Sequence, residues 1–244
     1  MKTLLLLLTT LKLGKVALTA GTMLLSIVTY SLIFGWQYAV GFVLLIFCHE
    51  MGHFLAAKQR GLNVGAPTFI PFVGAWIQLK EQPMSVETEA YVAMAGPVMG
   101  TIAAMGCYYA AQSYDSPLWL ALAYAGLMLN LFNLIPLSPL DGGRITAIIS
   151  PKTWYVGLPI LIVLFIWNQS PMLLLVALLA FPHVWATYKG GGNPGLPPQY
   201  YDVPYETRWS YATYYLALAS FLGVMSYQTH LALQNSPLLA GGSP

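Results

Sequence analysis

The stretch "YAVGFVLLIFCHEMGHFLAAKQR", residues 38–60, decides the fold class and raises the functional question. Its first part is uncharged and apolar, as expected of a membrane-spanning helix, which needs about 20 such residues. Near its end the run is interrupted by His49, Glu50 and His53. Ionisable side chains at membrane depth are costly and usually serve a site. We therefore interpret this stretch as a spanning helix that carries functional groups.

The composition extends the membrane assignment to the whole chain. Of its 244 residues, 57% are hydrophobic and 7% are charged, whereas soluble domains carry about 25% charged residues. Five long runs contain no Asp, Glu, Lys or Arg, namely residues 16–48, 90–114, 116–140, 153–188 and 209–244. The net charge of +2 is too small to indicate a nucleic-acid partner. The sequence predicts an all-α polytopic protein with six to seven transmembrane helices in a lipid bilayer.

The breaks between these runs predict a single integral membrane domain over residues 1–244. A core three-helix unit is expected at about 38–150, a cytoplasmic loop at 188–208 and a last helix at 209–230. Lysines close the apolar run Met1–Leu13, so we expect a separate interfacial segment or short first element there. The basic residues that flank the first two spans predict, by the positive-inside rule, that the histidines lie towards the cytoplasmic side.

The segment Gly61–Leu79 is uncharged yet a poor helix, because prolines and glycines are spaced through it. Its β-forming residues predict a short membrane-associated β-hairpin or a re-entrant segment. Such backbone persists at membrane depth only against protein or a wet cavity. The segment could bind an extended peptide, or it could serve packing alone.

The spacing of His49 and His53 indicates a metal site, because residues four apart share one face of a helix. Catalytic zinc usually takes three protein ligands and leaves the fourth place to water. Glu50 can reach that water and accept its proton, which is the metalloprotease interpretation of H-E-x-x-H.

The third ligand must come from elsewhere, and among the eight acidic residues Asp141 is the best candidate. It follows a helix end broken by prolines, and counting the spans returns it to the same side and depth as the histidines. A carboxylate is an ordinary zinc ligand. The sequence therefore predicts one Zn²⁺ per chain, held by His49, His53 and Asp141. Alternatively, Asp141 is a turn residue at the helix end and pairs with Arg144.

Two motifs together carry a resemblance to a known family. "HEMGH" at 49–53 and "NLIPLSPLDGG" at 133–143 resemble the paired motifs of the site-2 protease family of intramembrane zinc metalloproteases. Asn133 and Asp141 match the N-x-x-P-x-x-x-x-D-G pattern of its second motif. The resemblance implies that Glu50 is the catalytic base and that Asn133 lies near the substrate carbonyl or its oxyanion. The alternative for Asn133 is an interhelical hydrogen bond.

The resemblance also implies a substrate class. The family cuts membrane-spanning proteins within or beside the bilayer, often in regulated intramembrane proteolysis, and its extended segment is thought to pair with the unwound substrate. We expect a compact form, because the chain has no room for the PDZ or nucleotide-sensing domains of other members. The oligomeric state stays open.

Two other functions compete with proteolysis. A catalytically silent scaffold could bind transmembrane partners in the same groove, but such a protein has no need for Glu50. A metal transporter would need ligands along a path through the bilayer, whereas the candidate ligands here are expected at one depth.

Overall fold

The computed structural model describes residues 2–65, 67–71, 74–76, 85–189, 196 and 198–235. Its elements in chain order are α1 (Lys2–Phe34), α2 (Trp36–Gln59), β1 (Thr68–Ile70), β2 (Gly74–Trp76), α3 (Val86–Tyr114), α4 (Pro117–Asn133), α5 (Asp141–Thr146), α6 (Trp154–Asn168), α7 (Pro171–Tyr188) and α8 (Tyr205–Gln234). Short 3₁₀ turns lie at Pro151–Thr153 and Pro198–Tyr201.

The structure does not confirm the predicted count of six to seven transmembrane helices. In the described part of the chain, four helices are long and apolar enough to cross a membrane: α2, α3, α8 and the Val16–Phe34 part of α1. The helices α4, α6 and α7 are apolar but shorter, at or below the length that usually spans a bilayer. Prolines contribute to this, because α4 begins at Pro117 and α7 at Pro171, and a proline is favoured at the start of a helix.

The first helix also differs from the prediction. The structure has one continuous helix from Lys2 to Phe34 in place of a separate N-terminal element. Lysine is a good helix former, so the lysines of this segment do not end the helix. The helix ends where Gly35 adopts a φ of 83°, a left-handed conformation that glycine adopts at no steric cost.

The last helix is longer than expected and shortens the loop before it. It begins at Tyr205 and continues to Gln234, and residues 236–244 lie outside the described part. Arg208 in its first turns donates hydrogen bonds to the backbone carbonyls of Ile148, at 3.0 Å, and Tyr201, at 2.6 Å. The bond to Ile148 ties the start of α8 to the chain after α5, and the bond to Tyr201 fixes the turn before α8.

The helices α2, α3 and α4 pack against one another and form the centre of the molecule, with α5 beside them. Their shared core contains buried side chains from each of the three, among them Leu45, Ala93 and Leu127. A second core lies where α6 and α7 meet the chain after α5, around the buried indole of Trp154. The motif at residues 49–53 lies within α2, and the motif at 133–143 begins at the end of α4.

The segment between α2 and α3 contains a two-stranded antiparallel sheet, β1 paired with β2. Residues 66, 72, 73 and 77–84 of this segment lie outside the described part. The other edge of β1 contacts α1: the Thr19 hydroxyl donates to the carbonyl of Pro67 at 2.7 Å, and the amide of Phe69 donates to the Thr22 hydroxyl at 3.2 Å. Helix α1 thus covers the outer edge of β1.

Candidate metal centre

The two histidines of α2 point to one spot in the protein interior. His49 and His53 lie one helical turn apart, and their Nε2 atoms are 3.1 Å from each other. His49 is buried, and so is Glu50, which follows it. The local geometry of the helix is sufficient to bring the two imidazoles together.

Asp141 reaches the same spot because the chain after α4 folds back on itself. It is the first residue of α5 and is buried. Gly142 and Gly143 follow it, and a Cβ at either position would overlap the backbone of the loop before α5. The indole of Trp154 donates a hydrogen bond to the carbonyl of Gly143 at 2.9 Å and fixes this turn. The two glycines therefore permit the close approach that places the carboxylate.

The three side chains meet at distances that fit a metal ion. Oδ2 of Asp141 lies 3.2 Å from Nε2 of His49 and 3.3 Å from Nε2 of His53. Ligands at a tetrahedral zinc ion, bound at about 2.0–2.1 Å, are separated by about 3.3 Å from one another. The His49, His53 and Asp141 group thus has the donor atoms and the spacing of three zinc ligands.

The protons on the two rings support the same conclusion. Nδ1 of His53 is 2.8 Å from the carbonyl of Val92, which can only accept, so this nitrogen donates. Nδ1 of His49 is 2.8 Å from Oδ1 of Asn130, and it donates in the same way. In neutral rings both Nε2 atoms then carry lone pairs.

These lone pairs face a carboxylate oxygen that has no donor. Oδ2 of Asp141 is buried and lacks a hydrogen-bond partner within the part of the chain that the structure describes. Three electron-rich atoms about 3 Å apart repel one another unless a positive charge lies between them. A divalent cation resolves this arrangement, and nitrogen and oxygen ligands of this kind suit zinc.

Glu50 lies beside the candidate metal ligands, where it interacts electrostatically with His49 and Asp141. Arg144 also interacts with it, but the guanidinium of Arg144 pairs with Glu89, with Nε 3.2 Å from Oε1. The structure therefore pairs Asp141 with the two histidines, and the alternative in which it pairs with Arg144 is not what the chain adopts.

The other oxygen of Glu89 accepts a hydrogen bond from the hydroxyl of Tyr200, in the turn before α8. Burial, together with the neighbouring Glu89 carboxylate, raises the pKa of Tyr200, so its hydroxyl stays protonated and donates. This contact and the Arg144–Glu89 pair link the loop before α8 to α3 and α5.

Asn133, which the second motif singles out, does not contact the three ligands. Its Nδ2 donates to the carbonyl of Leu129 in its own helix at 3.0 Å, and its side chain is half-buried. Asn130, one turn earlier, makes the contact with His49 instead. Sequence reasoning missed this residue, although a second asparagine in the apolar run "LMLNLFN" was a usable signal. The remaining histidines, His183 and His230, bond within their own helices.

The "AGP" segment of α3, residues 95–97, brings this helix close to His53. A Cβ at Gly96 would overlap the imidazole of His53. The carbonyl of Val92, one turn earlier on α3, holds the other side of that ring. Helix α3 therefore shapes the position of one metal ligand although it supplies none.

Comparison with known proteins finds a family that matches part of the chain. Residues 37–115 match the model of peptidase family M50. This stretch is less than half of the 244 residues, so the match is a resemblance over that part of the chain. The matched part contains His49, Glu50 and His53 and ends before Asp141. The place of the third ligand therefore depends on the geometry of the structure.

Two curated proteins are similar to this chain over part of their length. A protein of Methanocaldococcus jannaschii named as a zinc metalloprotease is 35% identical over 128 residues, which cover 49% of this chain and 37% of that protein. A Synechocystis sp. protein whose name proposes the same activity is 33% identical over 105 residues, 41% of this chain and 27% of its own. The chain thus spans about a third of the length of these relatives. The solved site-2 protease from M. jannaschii is 26% identical, with a TM-score of 0.46 over 65% of this chain and 82% of its own.

Proposed function

We propose that the chain is an intramembrane zinc metalloprotease that hydrolyses peptide bonds of membrane-spanning proteins. The observation that carries this proposal is the buried convergence of Nε2 of His49, Nε2 of His53 and Oδ2 of Asp141 at 3.1–3.3 Å. The match of residues 37–115 to peptidase family M50 and the name of the M. jannaschii relative, a zinc metalloprotease, support zinc as the metal. We assign the three residues as the ligands of one Zn²⁺ per chain.

Glu50 is the proposed general base. Zinc, when bound, supplies a Lewis acid that polarises the scissile carbonyl and lowers the pKa of a water towards about 7. Glu50 follows His49 on α2, and its carboxylate interacts with the ligands. From there it takes the proton of the attacking water and passes it to the amide nitrogen of the leaving segment.

We propose that Asn133 binds the substrate, because the second motif resembles that of the site-2 protease family. One N–H of its amide donates to Leu129. The second N–H of that group stays able to donate to a carbonyl oxygen of the substrate or to its oxyanion. Its place at the end of α4, directly before the chain leads to Asp141, supports this role.

An extended segment of the substrate pairs with the hairpin in this proposal. A strand edge offers a row of backbone donors and acceptors to an unwound peptide. Because the hydroxyls of Thr19 and Thr22 occupy the outer edge of β1, we place the substrate at the edge of β2. The strand β2 lies against α2, the helix that carries the two histidines and Glu50.

The proposed active site lies towards the cytoplasmic side of the membrane. Lys58 in the last turn of α2, with Arg60 after it, marks the end of the helix near the ligands. The positive-inside rule assigns that end to the cytoplasm. In this arrangement the shorter helices α4, α6 and α7 also cross the bilayer. Cleavage there would release a substrate domain into the cytoplasm, as in regulated intramembrane proteolysis.

A catalytically silent scaffold is the alternative, and one experiment separates the two. The chain and its Glu50→Gln variant are reconstituted in liposomes with a single-span substrate that is tagged at both ends and carries helix-breaking residues near its cytoplasmic end. We expect wild type to cut the substrate, the variant to cut it about 10²–10⁴-fold more slowly, and both to contain one zinc by elemental analysis.

The matched control is Glu87→Gln, which removes a carboxylate that pairs with Arg60 at 3.9 Å on the protein surface. It should cut the substrate like wild type. Crosslinking of the substrate to both proteins without any cut, at full zinc content, would instead support the scaffold. Cleavage by Glu50→Gln at the wild-type rate would contradict the role of Glu50.

A further inference from the structure

We infer that Asn130 is a positioning residue of the metal centre: it holds the imidazole of His49 in the tautomer and orientation that present Nε2 to the metal. This inference rests on the proposed metal site. Oδ1 of Asn130 lies 2.8 Å from Nδ1 of His49, and the Asn130 side chain is 1% exposed. Neither sequence motif contains this residue.

The orientation of the Asn130 amide follows from its second hydrogen bond. Nδ2 donates to the carbonyl of Gly126 at 2.7 Å, and a carbonyl can only accept. The amide oxygen therefore faces His49, and Nδ1 of that ring must carry the proton. The neutral ring then has its free lone pair on Nε2, the atom that faces His53 and Asp141. A fixed acceptor at the far nitrogen also raises the basicity of a metal-binding imidazole.

Helix α3 leaves no room for the Asn130 amide to move away. It presents Gly100 to the amide, and a Cβ at that position would overlap the Asn130 oxygen and nitrogen. The amide is therefore enclosed by α2, α3 and its own helix. Turning it away from His49 would leave two buried polar groups without partners, the Nδ1–H of the ring and the amide oxygen.

Asn133 provides a matched control in the same helix. It lies almost one turn after Asn130, and its amide also donates to a carbonyl four residues earlier, that of Leu129. The two asparagines thus share residue type, helix and local hydrogen bond. They differ in the contact with His49, which Asn130 alone makes among the described residues.

The test compares metal binding by four full-length proteins purified in detergent: wild type, Asn130→Leu, Asn130→Asp and Asn133→Leu. Zinc affinity is measured by competition with a chromophoric chelator, and the visible absorption of the Co²⁺-loaded proteins reports the ligand geometry. Asn130→Leu, which removes the acceptor at similar volume, should bind zinc about 10–100-fold more weakly and change the Co²⁺ bands. Asn130→Asp keeps an acceptor oxygen, so its zinc affinity and Co²⁺ bands should be close to those of wild type. Asn133→Leu should change neither the zinc affinity nor the Co²⁺ bands.

Wild-type zinc affinity and an unchanged Co²⁺ spectrum in Asn130→Leu would overturn the inference. If that variant does not fold, Gly100→Ala decides, because it displaces the amide while keeping Asn130. The same loss of affinity and change of spectrum are then expected, and their absence would overturn the inference. A wild-type protein that binds neither zinc nor Co²⁺ would instead contradict the proposed metal site itself.

Discussion

The central helices α2 and α3 and the outer helices α1 and α8 are all apolar enough to span a membrane, but they have different surroundings. Of the membrane-length segments of α2 and α3, 44% is buried within the protein, against 11% in α1 and 17% in α8. The central pair places glycines at its contacts, such as Gly52 against the backbone of α3 and Gly96 against His53. The outer helices expose large side chains, such as Leu32 at 82%.

The comparison shows that hydropathy does not distinguish a helix that faces lipid from one that holds a site. Lipid is as apolar as leucine, so helices associate through close packing and polar contacts rather than through hydrophobicity. Small residues that let two helices approach, and polar side chains that bridge them, mark the central helices. The substitutions below each compare a residue at a packed or polar contact with a matched residue outside that contact.

The largest effect is expected from Asp141→Asn, which removes the charge that the three-ligand site needs. Zinc affinity should fall by more than the roughly 10–100-fold that the loss of a partner outside the ligand set costs. The control is Asp115→Asn, at the far end of α3, where φ is 45° and asparagine is tolerated. Elemental analysis and chelator competition measure both proteins. Full zinc content in Asp141→Asn at low free zinc would remove Asp141 from the ligand set.

A second contrast lies within α3, between Gly96 and Gly106. A Cβ at Gly96 would overlap the His53 ring, whereas a Cβ at Gly106 has no described heavy atom within 4 Å. Gly96→Ala should therefore weaken zinc binding and lower thermal stability. Gly106→Ala should leave zinc binding unchanged and stabilise the helix by about 0.5–1 kcal/mol. Equal zinc affinities in the two variants would show that α3 does not shape the position of His53.

Leu127 and Leu32 allow packing in the core to be compared with packing at the lipid surface. Leu127 is fully buried in the central core, and Leu32 is exposed on α1. Leu127→Ala should lower the free energy of unfolding by about 2–5 kcal/mol, because it leaves a cavity. Leu32→Ala should change it by less than about 0.5 kcal/mol. Thermal unfolding in detergent, followed by size-exclusion chromatography, measures both, and a similar loss in Leu32→Ala would place α1 in a packed interface.

The smallest effect is expected where α1 meets the hairpin. Thr22→Val removes the hydroxyl that accepts from the amide of Phe69, a hydrogen bond worth about 0.5–1.5 kcal/mol. That amide should exchange faster with deuterium in the variant. In the control Thr29→Val, a hydroxyl that donates to the carbonyl of Leu25 within α1 is removed, and exchange at Phe69 should not change. Unchanged exchange in Thr22→Val would contradict the contact between α1 and β1.

Much of the site could be predicted from the sequence, because part of it is local. The pairing of His49 with His53 follows from helical periodicity alone, and uncharged runs indicate a membrane protein without any contact being known. Asp141 could be nominated from the few acidic residues available. Asp141 lies beside the histidines only because α4 ends at Asn133 and the chain that follows folds back.

Other features depended on packing between distant segments. Asn130 and Asn133 are alike as sequence, and the helix face that meets His49 selects the first. The helices α4, α6 and α7 are shorter than a usual membrane span, because an apolar run does not reveal where a helix starts and stops inside it.

The sequence by itself determined the class of protein, the helix that carries the two histidines and the chemistry those residues offer, because charge, hydropathy and helical spacing act over neighbouring residues. The tertiary structure decided which carboxylate lies beside the two histidines, which asparagine contacts the ring of His49 and which helices enclose the site. Those outcomes depend on how closely backbones approach, and the approach is set by residues far apart in the chain, such as Gly96, Gly100 and Gly142.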